Sequence, residues 1–295
     1  MTPSPIHATT LNVPCTLCGA ESTRLHEVGG YWIRRCHRCA HQFAELDTTE
    51  GHIDRIYNDQ YFFGGGAGYQ NYLGEERLLV DRGRWYGRLM TGYCQPGAVL
   101  DIGAASGFTL QGLREAGWHC FGIEPNAAQA GYARERFGLN VEAASLENWS
   151  TARTFDLVTM LQVLPHFLDP VQALTKCAEE LLGCGGYLLI ETWNRDSWTA
   201  RLWGKSWHEY SPPSVLHWFS KDSIVSLSNE LGFDYVAHGR PSKWINGEHA
   251  KSLLRSKADV SFGNRLLASL ARMVPDSLSI PYPAVDLFWI LLRRR

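Results

Sequence analysis

The stretch that decides the fold is Ala98-Val99-Leu100-Asp101-Ile102-Gly103-Ala104-Ala105-Ser106-Gly107. A short apolar run with one carboxylate leads to two glycines four positions apart, and a helical pattern begins near Phe108. This order predicts a buried strand, a tight glycine turn and the first turn of a helix. Such a unit forms the ligand-binding corner of a doubly wound α/β sheet.

Asp101 indicates which ligand the corner binds. A dinucleotide fingerprint reads G-x-G-x-x-G and brings uncharged backbone against a pyrophosphate. Here a negative charge precedes the first glycine, where it repels phosphate and favours a cation. S-adenosylmethionine (SAM) has a sulfonium, an ammonium group and no phosphate, so the sequence predicts a SAM pocket. Glu124 ends the next predicted strand, 118–124, where an acid can accept hydrogen bonds from both ribose hydroxyls.

Strands and helices alternate along the rest of the chain. Further strands are predicted at 141–144, 155–161, 187–192, 233–239 and 284–292. Helices are predicted to begin at Asn126, Asp169 and Ser220, whose side chains can cap a first turn, and an amphipathic helix is predicted at about 251–273. This alternation predicts a parallel sheet with right-handed crossovers.

Four segments in this order resemble the class I SAM-dependent methyltransferases. They are VLDIGAASG at 99–107, FGIEPN at 121–126, FDLVTMLQVLPHFLDP at 155–170 and LLGCGGYLLIETWN at 181–194. The resemblance covers about residues 75–240 and implies a Rossmann-like α/β fold with seven strands, mostly parallel, the last antiparallel. Two positions depart from the family pattern: Ala104 replaces a common cysteine, and Pro165 replaces the acid of a common V-L-E-H sequence.

The corner and the resemblance together predict the residues that bind SAM. Asp101 would orient the amino-acid part of the donor through the glycine loop, and Glu124 would hold the ribose. Leu146 and Glu147 would border the adenine. The full predicted set is Asp101, Gly103, Ala104, Ser106, Gly107, Glu124, Pro125, Leu146, Glu147, Leu161 and Gln162.

Two C-x2-C pairs near the N-terminus predict a metal site. Cys15 and Cys18 form the first pair and Cys36 and Cys39 the second. Two such pairs at this separation predict a four-thiolate zinc site, with reduced structural cysteines as the alternative. Four thiolates close a tetrahedral site, so this zinc would be structural. This cysteine-containing N-terminal head, the tyrosine-rich bridge after it and the C-terminal part together resemble bacterial enzymes acting on small molecules, including sugar C-methyltransferases.

The candidate catalytic residues are His166, Tyr69 and Tyr72, and aromatic segments supply candidate substrate residues. His166 follows the strand at 155–161, where a base could reach a substrate proton, and the family analogy implies a general base in the C-methylating relatives. A histidine that only caps the loop is the alternative. Tyr69 and Tyr72, in a glycine-rich segment, are candidates to cover the pocket or to pack the head onto the main domain. The remaining substrate candidates are Tyr61, Trp193, Asn194, Trp207, His208 and His217.

These predictions define three regions. They are a zinc ribbon at 1–50, a tyrosine- and glycine-rich bridge with a helix at 51–97, and the SAM-binding domain at 98–295. The last region carries an aromatic insert at about 194–220, which would form a lid over the substrate or a packed loop.

Composition limits the class of protein. The 295 residues are 45% hydrophobic and 20% charged, as in globular proteins, and the net charge of −2 gives no reason to expect a nucleic-acid partner. No apolar run approaches the roughly 20 residues that span a bilayer, so a cytoplasmic protein is expected. The predicted function is SAM-dependent methyl transfer to a small molecule, such as a sugar-nucleotide or a natural-product intermediate. The alternatives are an RNA or protein methyltransferase that docks through the ribbon, and a non-catalytic SAM-fold protein; the oligomeric state is left open.

Overall fold

A computed structural model describes residues 13–46, 73–245 and 284–295, with positions 51, 56, 247, 275, 278 and 280–282 between them. The strands are β1 Ser22–Val28, β2 Tyr31–Cys36, β3 Gln42–Ala44, β4 Ala98–Ile102, β5 His119–Glu124, β6 Asn140–Ala143, β7 Phe155–Leu161, β8 Leu182–Trp193, β9 His217–Trp218, β10 Phe233–Gly239, β11 Lys243–Ile245, β12 Ile280–Tyr282 and β13 Leu287–Arg294. The α-helices are α1 Glu76–Met90, α2 Phe108–Glu115, α3 Ala127–Phe137, α4 Pro170–Lys176, α5 Trp198–Trp203 and α6 Lys221–Glu230. Short 3-10 turns cover Leu73–Glu75, Leu164–His166 and Gly204–Ser206, and a π turn, Cys177–Leu181, continues α4.

The largest sheet has seven strands in the order β10-β13-β8-β7-β4-β5-β6. Strands β4 to β8 pair in parallel, whereas β13 is antiparallel to both β8 and β10. The predicted fold class, a mostly parallel sheet with an antiparallel last strand, is therefore confirmed. The order of the central strands brings the carboxyl ends of β4, β5 and β7 side by side, where a ligand can bind.

Apolar side chains cover both faces of this sheet. Successive strand residues point to opposite faces. Val99 and Leu157 pack in a cluster with residues of α1, α2 and α3, whereas Leu100 and Val158 pack with residues of α4 and α6. This burial on both faces explains why the central strands read as almost continuous apolar runs.

Helices α1 and α2 approach each other closely because two glycines face each other. A Cβ at Gly83 would collide with the carbonyl oxygen of Thr109 and lie 2.9 Å from the Cα of Gly112. A Cβ at Gly112 would in turn collide with the carbonyl oxygen of Val80. The contact fixes α1 beside the start of the glycine-loop helix.

Most predicted element ends are confirmed, with two differences. Asn126 and Asp169 cap α3 and α4, each accepting a backbone N–H at 2.9 Å. Strand β8 begins at Leu182, earlier than predicted, because Leu182 already pairs with Phe155. The register between β7 and β8 then shifts at the glycines, before Leu157 pairs with Tyr187. Strand β13 begins later than predicted, after a turn at 285–286. The predicted helix at 251–273 lies outside the described residues.

The aromatic insert contributes a strand to the N-terminal head. The head sheet has the order β1-β2-β3-β9, and β9 comes from the insert. Ile33 of β2 packs in one cluster with Trp207, Val215 and Trp218. The head and the insert thus share both a sheet and a core, although the division at residues 50, 97 and 194 stays a prediction.

Candidate active site

The glycine loop after β4 has the backbone geometry that its sequence predicts. Gly103 and Gly107 have φ values of +74° and +78°, which favour glycine. A Cβ at Gly103 would lie 2.6 Å from Val163 Cγ2, and one at Gly107 would lie 2.8 Å from Leu139 Cδ1. The loop therefore packs tightly at the carboxyl ends of the central strands and starts α2.

Asp101 is a buried carboxylate at the end of β4. It accepts a hydrogen bond from the Thr159 hydroxyl at 2.6 Å. Burial raises the pKa of Asp101 to about 7; the Thr159 hydroxyl opposes this shift and the nearby Glu124 adds to it. A carboxylate held in this way gains stability when a cation binds beside it.

Glu124 is the second buried carboxylate and ends β5. Its two oxygens accept the backbone N–H groups of Ala105 and Asn126, both at 2.9 Å, so it joins the glycine loop to the start of α3. Burial raises the pKa of Glu124 to about 7, although the two N–H groups act in the opposite direction. Two acids with raised pKa values therefore share one corner, which is typical of a functional site.

The other residues predicted to bind SAM belong to the glycine loop, to the end of β7 and to the segments that follow β5, β6 and β7. The Ser106 hydroxyl donates to the Gln129 side chain, and the Ala104 N–H donates to the Ile123 carbonyl at 3.0 Å. Leu146 is buried in the core, whereas Pro125 is exposed directly after β5 and Glu147 is exposed in the turn that follows β6. Leu161 and Gln162 are half-buried at the end of β7, and Gln162 has a φ of +62°.

A buried polar network that the sequence analysis missed lies beside Gln162. The Glu191 carboxylate on β8 is fully buried, and Arg82 and Tyr86 of α1 both donate to it. The Gln162 amide donates to the same carboxylate at 2.9 Å. A single acid in the apolar run of β8 was the signal, because a buried charge requires a partner.

His166 ends the 3-10 turn after β7 and is half-buried. Its Nδ1 lies 2.6 Å from the backbone carbonyl oxygen of Ser214. A carbonyl only accepts hydrogen bonds, so Nδ1 carries the proton here, and in the neutral form of the ring Nε2 carries the lone pair. The Ser214 carbonyl thus orients the imidazole, a role for which the sequence offers no acid because position 165 is a proline.

The predicted substrate residues of the insert divide into buried and accessible groups. Trp207 and His217 are buried; Trp207 Nε1 donates to Asp286 at 3.0 Å, and His217 Nδ1 lies 3.1 Å from His41 Nε2. Burial lowers the pKa of His217 to about 4, so the ring is neutral. His208 is exposed, with Nε2 3.1 Å from the carboxylate of Glu209.

Trp193 and Asn194 are half-buried at the end of β8. The Trp193 ring meets the ring of His208 edge-on at a centroid distance of 5.2 Å, and the Asn194 N–H donates to the Asp286 carbonyl at 2.6 Å. The predicted residues Tyr61, Tyr69 and Tyr72 lie outside the described residues.

Comparison with known proteins identifies the family. The profile of a family described as a methyltransferase domain matches residues 84–238, more than half of the chain. The chain belongs to this methyltransferase family. Together with the fold, this makes the protein a SAM-dependent methyltransferase, as the four sequence segments predicted.

The methyltransferase has relatives that are named for a biosynthetic pathway. It is 28% identical over 184 residues to the ubiquinone biosynthesis O-methyltransferase of Aromatoleum aromaticum, covering 55% of this chain and 78% of that protein. It is 29% identical over 150 residues to the enzyme of the same name from Cereibacter sphaeroides, covering 47% of this chain and 60% of that protein.

Solved structures show the same fold. The plantazolicin methyltransferase BpumL, in complex with a pentazolic desmethylPZN analog and SAH, matches with a TM-score of 0.51 at 16% identity, over 83% of this chain and 97% of that chain. A SAM-dependent methyltransferase from Archaeoglobus fulgidus matches with a TM-score of 0.50 at 18% identity, over 76% and 99% of the two chains.

The methyltransferase brings the four cysteines of its head together. Their Sγ atoms all lie within 4.8 Å of one another, with Cys18 3.5 Å from both Cys36 and Cys39. Backbone N–H groups of Leu17 and Arg38 point at the sulfurs of Cys15 and Cys36, at 3.4 and 3.3 Å. Burial raises the pKa of the Cys15 thiol, so a cation is needed to keep this sulfur ionised.

No helix among the described residues of the methyltransferase is both long and apolar enough to cross a membrane.

Proposed function

We propose that this methyltransferase transfers the methyl group of SAM to a small-molecule acceptor bound above β4, β5 and β7. The observation that carries the proposal is the pair of buried carboxylates, Asp101 and Glu124, joined by the glycine loop. The relatives are named for ubiquinone biosynthesis and for plantazolicin, which supports an organic small molecule as the acceptor class. A sugar-nucleotide or a natural-product intermediate stays the finer proposal.

The corner residues suit the two halves of the donor. When bound, SAM supplies a methyl group activated by the adjacent sulfonium charge. Asp101, ionised through contact with a cationic ligand, would orient the amino-acid half through the loop from Gly103 to Gly107. Each oxygen of Glu124 accepts one backbone N–H and keeps a second lone pair for a ribose hydroxyl. Pro125, Leu146 and Glu147 would border the adenine. In this arrangement both acids contact SAM, and neither has to bind a phosphate.

His166 is proposed as the general base. The Nδ1 hydrogen bond to Ser214 leaves Nε2 as the basic nitrogen, and the residue follows the same strand as Leu161 and Gln162. A base placed here would take the acceptor proton at Nε2, and alignment of the two substrates would supply most of the rate. Six residues are proposed to contact the acceptor: Tyr61, Tyr69, Tyr72, Trp193, Asn194 and His208. The buried Trp207 and His217 are proposed to support the insert that carries His208.

The four cysteines are proposed to hold a structural zinc ion. A tetrahedral ion with Zn–S bonds of about 2.3 Å separates its sulfurs by about 3.8 Å. The sulfur separations of 3.5 and 3.6 Å in the head support this fit. Four thiolates would leave no position for a substrate, so the ion would stabilise the head.

An RNA or protein methyltransferase that docks through the ribbon is the weaker proposal. The net charge of −2 gives no basis for binding a nucleic-acid backbone. The edge of β3 that faces away from β2 pairs with β9 of the same chain, so that edge does not offer a docking strand.

Calorimetric titration with SAM, combined with a screen for methylated products, tests the proposal. Asp101→Asn should weaken SAM binding roughly ten- to hundredfold, because a charge-assisted contact contributes about 1.5–3 kcal/mol. The control is Glu135→Gln, because Glu135 is exposed on α3. Asp156 cannot serve as the control, because its carboxylate accepts the Ala98 N–H. Acceptors are screened by mass spectrometry for the gain of one methylene. Absence of SAM binding by the folded wild-type protein would contradict the proposal.

A further inference from the structure

The buried segment from Ser214 to Trp218 connects the cysteine-rich head to the turn that carries His166. The N–H of Ala44, in β3, donates to the Leu216 carbonyl at 2.8 Å. The N–H of the same Leu216 donates to the carbonyl of Pro165 at 2.9 Å. One residue therefore bonds to the head on one side and to the neighbour of His166 on the other. We call residues 214–218 the connecting segment.

The connecting segment also holds the imidazole itself. The carbonyl of Ser214 accepts the Nδ1 proton of His166 at 2.6 Å. The Ser214 hydroxyl donates to the Ser211 carbonyl at 2.9 Å, which fixes the start of the segment. All five residues of the segment are buried, with exposed fractions between 2% and 8%. The connecting segment thus holds the ring of His166 at Nδ1.

The head fixes the other side of the connecting segment. Phe43 of β3 pairs with His217, and the Tyr210 hydroxyl donates to the Gln42 side chain at 2.6 Å. Strand β3 follows the second cysteine pair directly, and the N–H of Cys36 donates to the His41 carbonyl at 2.9 Å. Ordering of the four cysteines by a metal ion would therefore order β3 and, through it, the connecting segment.

Asp101, Glu124 and the glycine loop, here called the donor corner, are held by different residues. The hydrogen-bond partners of Asp101 and Glu124 belong to β7, the glycine loop and the start of α3. A change in the position of β3 should therefore alter the orientation of His166 more than the geometry of the donor corner.

We propose that the cysteine-rich head is a positioning element for His166, which acts through β3 and the connecting segment to hold the ring with Nε2 basic. The inference rests on the proposed role of His166 as a base. It assigns Ala44, Leu216 and Ser214 as positioning residues, and it gives the head a part in methyl transfer without any contact with the substrate.

The substitution Ala44→Pro tests this inference, because proline lacks the N–H that reaches Leu216. Ala44→Gly keeps that N–H and is the matched control. Ala44→Pro should lower kcat roughly tenfold to hundredfold, the range expected for a misplaced catalytic group, with the SAM dissociation constant unchanged. In the His166→Ala background the same substitution should change kcat less than twofold, since two residues that act as one unit are not additive. Equal losses in both backgrounds would overturn the proposal.

A spectroscopic measurement keeps the positioning role separate from the catalytic role. In protein labelled with ¹⁵N-histidine, the ring nitrogens of His166, assigned with His166→Ala, should report a protonated Nδ1 in the wild type and in Ala44→Gly. Ala44→Pro should shift this signal toward the mixed tautomers of a mobile ring. An unchanged His166 spectrum in Ala44→Pro would overturn the inference. If His166→Ala keeps full activity, the proposed base role is wrong, and the spectrum alone decides the positioning.

A second variant covers the case in which Ala44→Pro fails to fold. The double substitution Cys36→Ser/Cys39→Ser removes two of the four sulfurs, and loss of order in the head is the intended effect. We expect retained SAM binding, a lost Nδ1 signal for His166 and a loss of kcat at least as large as that of Ala44→Pro. Retained kcat together with an unchanged His166 spectrum would overturn the proposal.

Discussion

Replacing Glu124 with glutamine should change how the free energy of unfolding depends on pH. Burial raises the pKa of Glu124 from its ordinary value of 4.5 to about 7. Between these two pH values the folded chain binds more protons than the unfolded chain. The stability contributed by the protonated group is therefore complete below about pH 4.5 and is lost as the pH rises through 7. The gap between the two pKa values corresponds to about 3 kcal/mol.

Glutamine has no charge to lose, so this contribution disappears from Glu124→Gln. The amide has one accepting oxygen, whereas Glu124 accepts two N–H groups, from Ala105 and Asn126. The unmatched N–H costs about 1–3 kcal/mol at every pH. The variant should thus be less stable than the wild type at pH 4.5, and the difference should shrink by about 3 kcal/mol by pH 8. Asp101, whose pKa is also about 7, keeps part of the pH dependence in both proteins.

Urea unfolding followed by the fluorescence of the eleven tryptophans measures this difference from pH 4.5 to 8. Glu135→Gln, exposed on α3, is the control and should run parallel to the wild type. If the curves of Glu124→Gln and the wild type also stay parallel over the whole range, the reasoning about the buried carboxylate is wrong.

Three further perturbations test other parts of the structure. SAM binding, measured by calorimetry, should weaken as the pH falls below about 7, because protonation of Asp101 and Glu124 removes the charge that favours a cation; a flat profile would contradict this. Gly83→Ala should lower the unfolding free energy by about 1–3 kcal/mol by forcing α1 from α2, whereas Gly131→Ala, on the open side of α3, should raise it by roughly 0.5–1 kcal/mol. Glu191→Gln should destabilise the fold by about 3–5 kcal/mol because it leaves the Arg82 guanidinium without its charge partner. In urea unfolding, the double variant Glu191→Gln/Arg82→Met should lose much less than the sum of the single losses.

The sequence predicted the features that depend on local order. The strand, turn and helix around Asp101 follow from neighbouring residues, and the caps Asn126 and Asp169 act within a single turn. The cysteine pairs are similarly encoded, because each places two sulfurs on one turn. These features require only the chemistry of a few adjacent residues.

Features that depend on distant contacts could not be predicted in this way. Strand β9 has two residues and no periodicity, and it exists because Phe43 pairs with His217 across the fold. The orientation of His166 depends on a backbone carbonyl, to which any residue at position 214 could contribute. The Arg82–Glu191 pair likewise joins a helix to a strand that only the folded sheet brings together.

The sharing of one sheet by β3 and β9 sets a rule for chimeric enzymes. A head transplanted from a relative would bring its own edge residues against a β9 that pairs here with Gln42 and Phe43. Exchanging the head alone should therefore yield chimeras with a mismatched strand edge and a divided apolar core around Ile33. Exchanging residues 13–46 together with 198–218 would transfer both partner strands and most of this core, so these two stretches are best exchanged as one module.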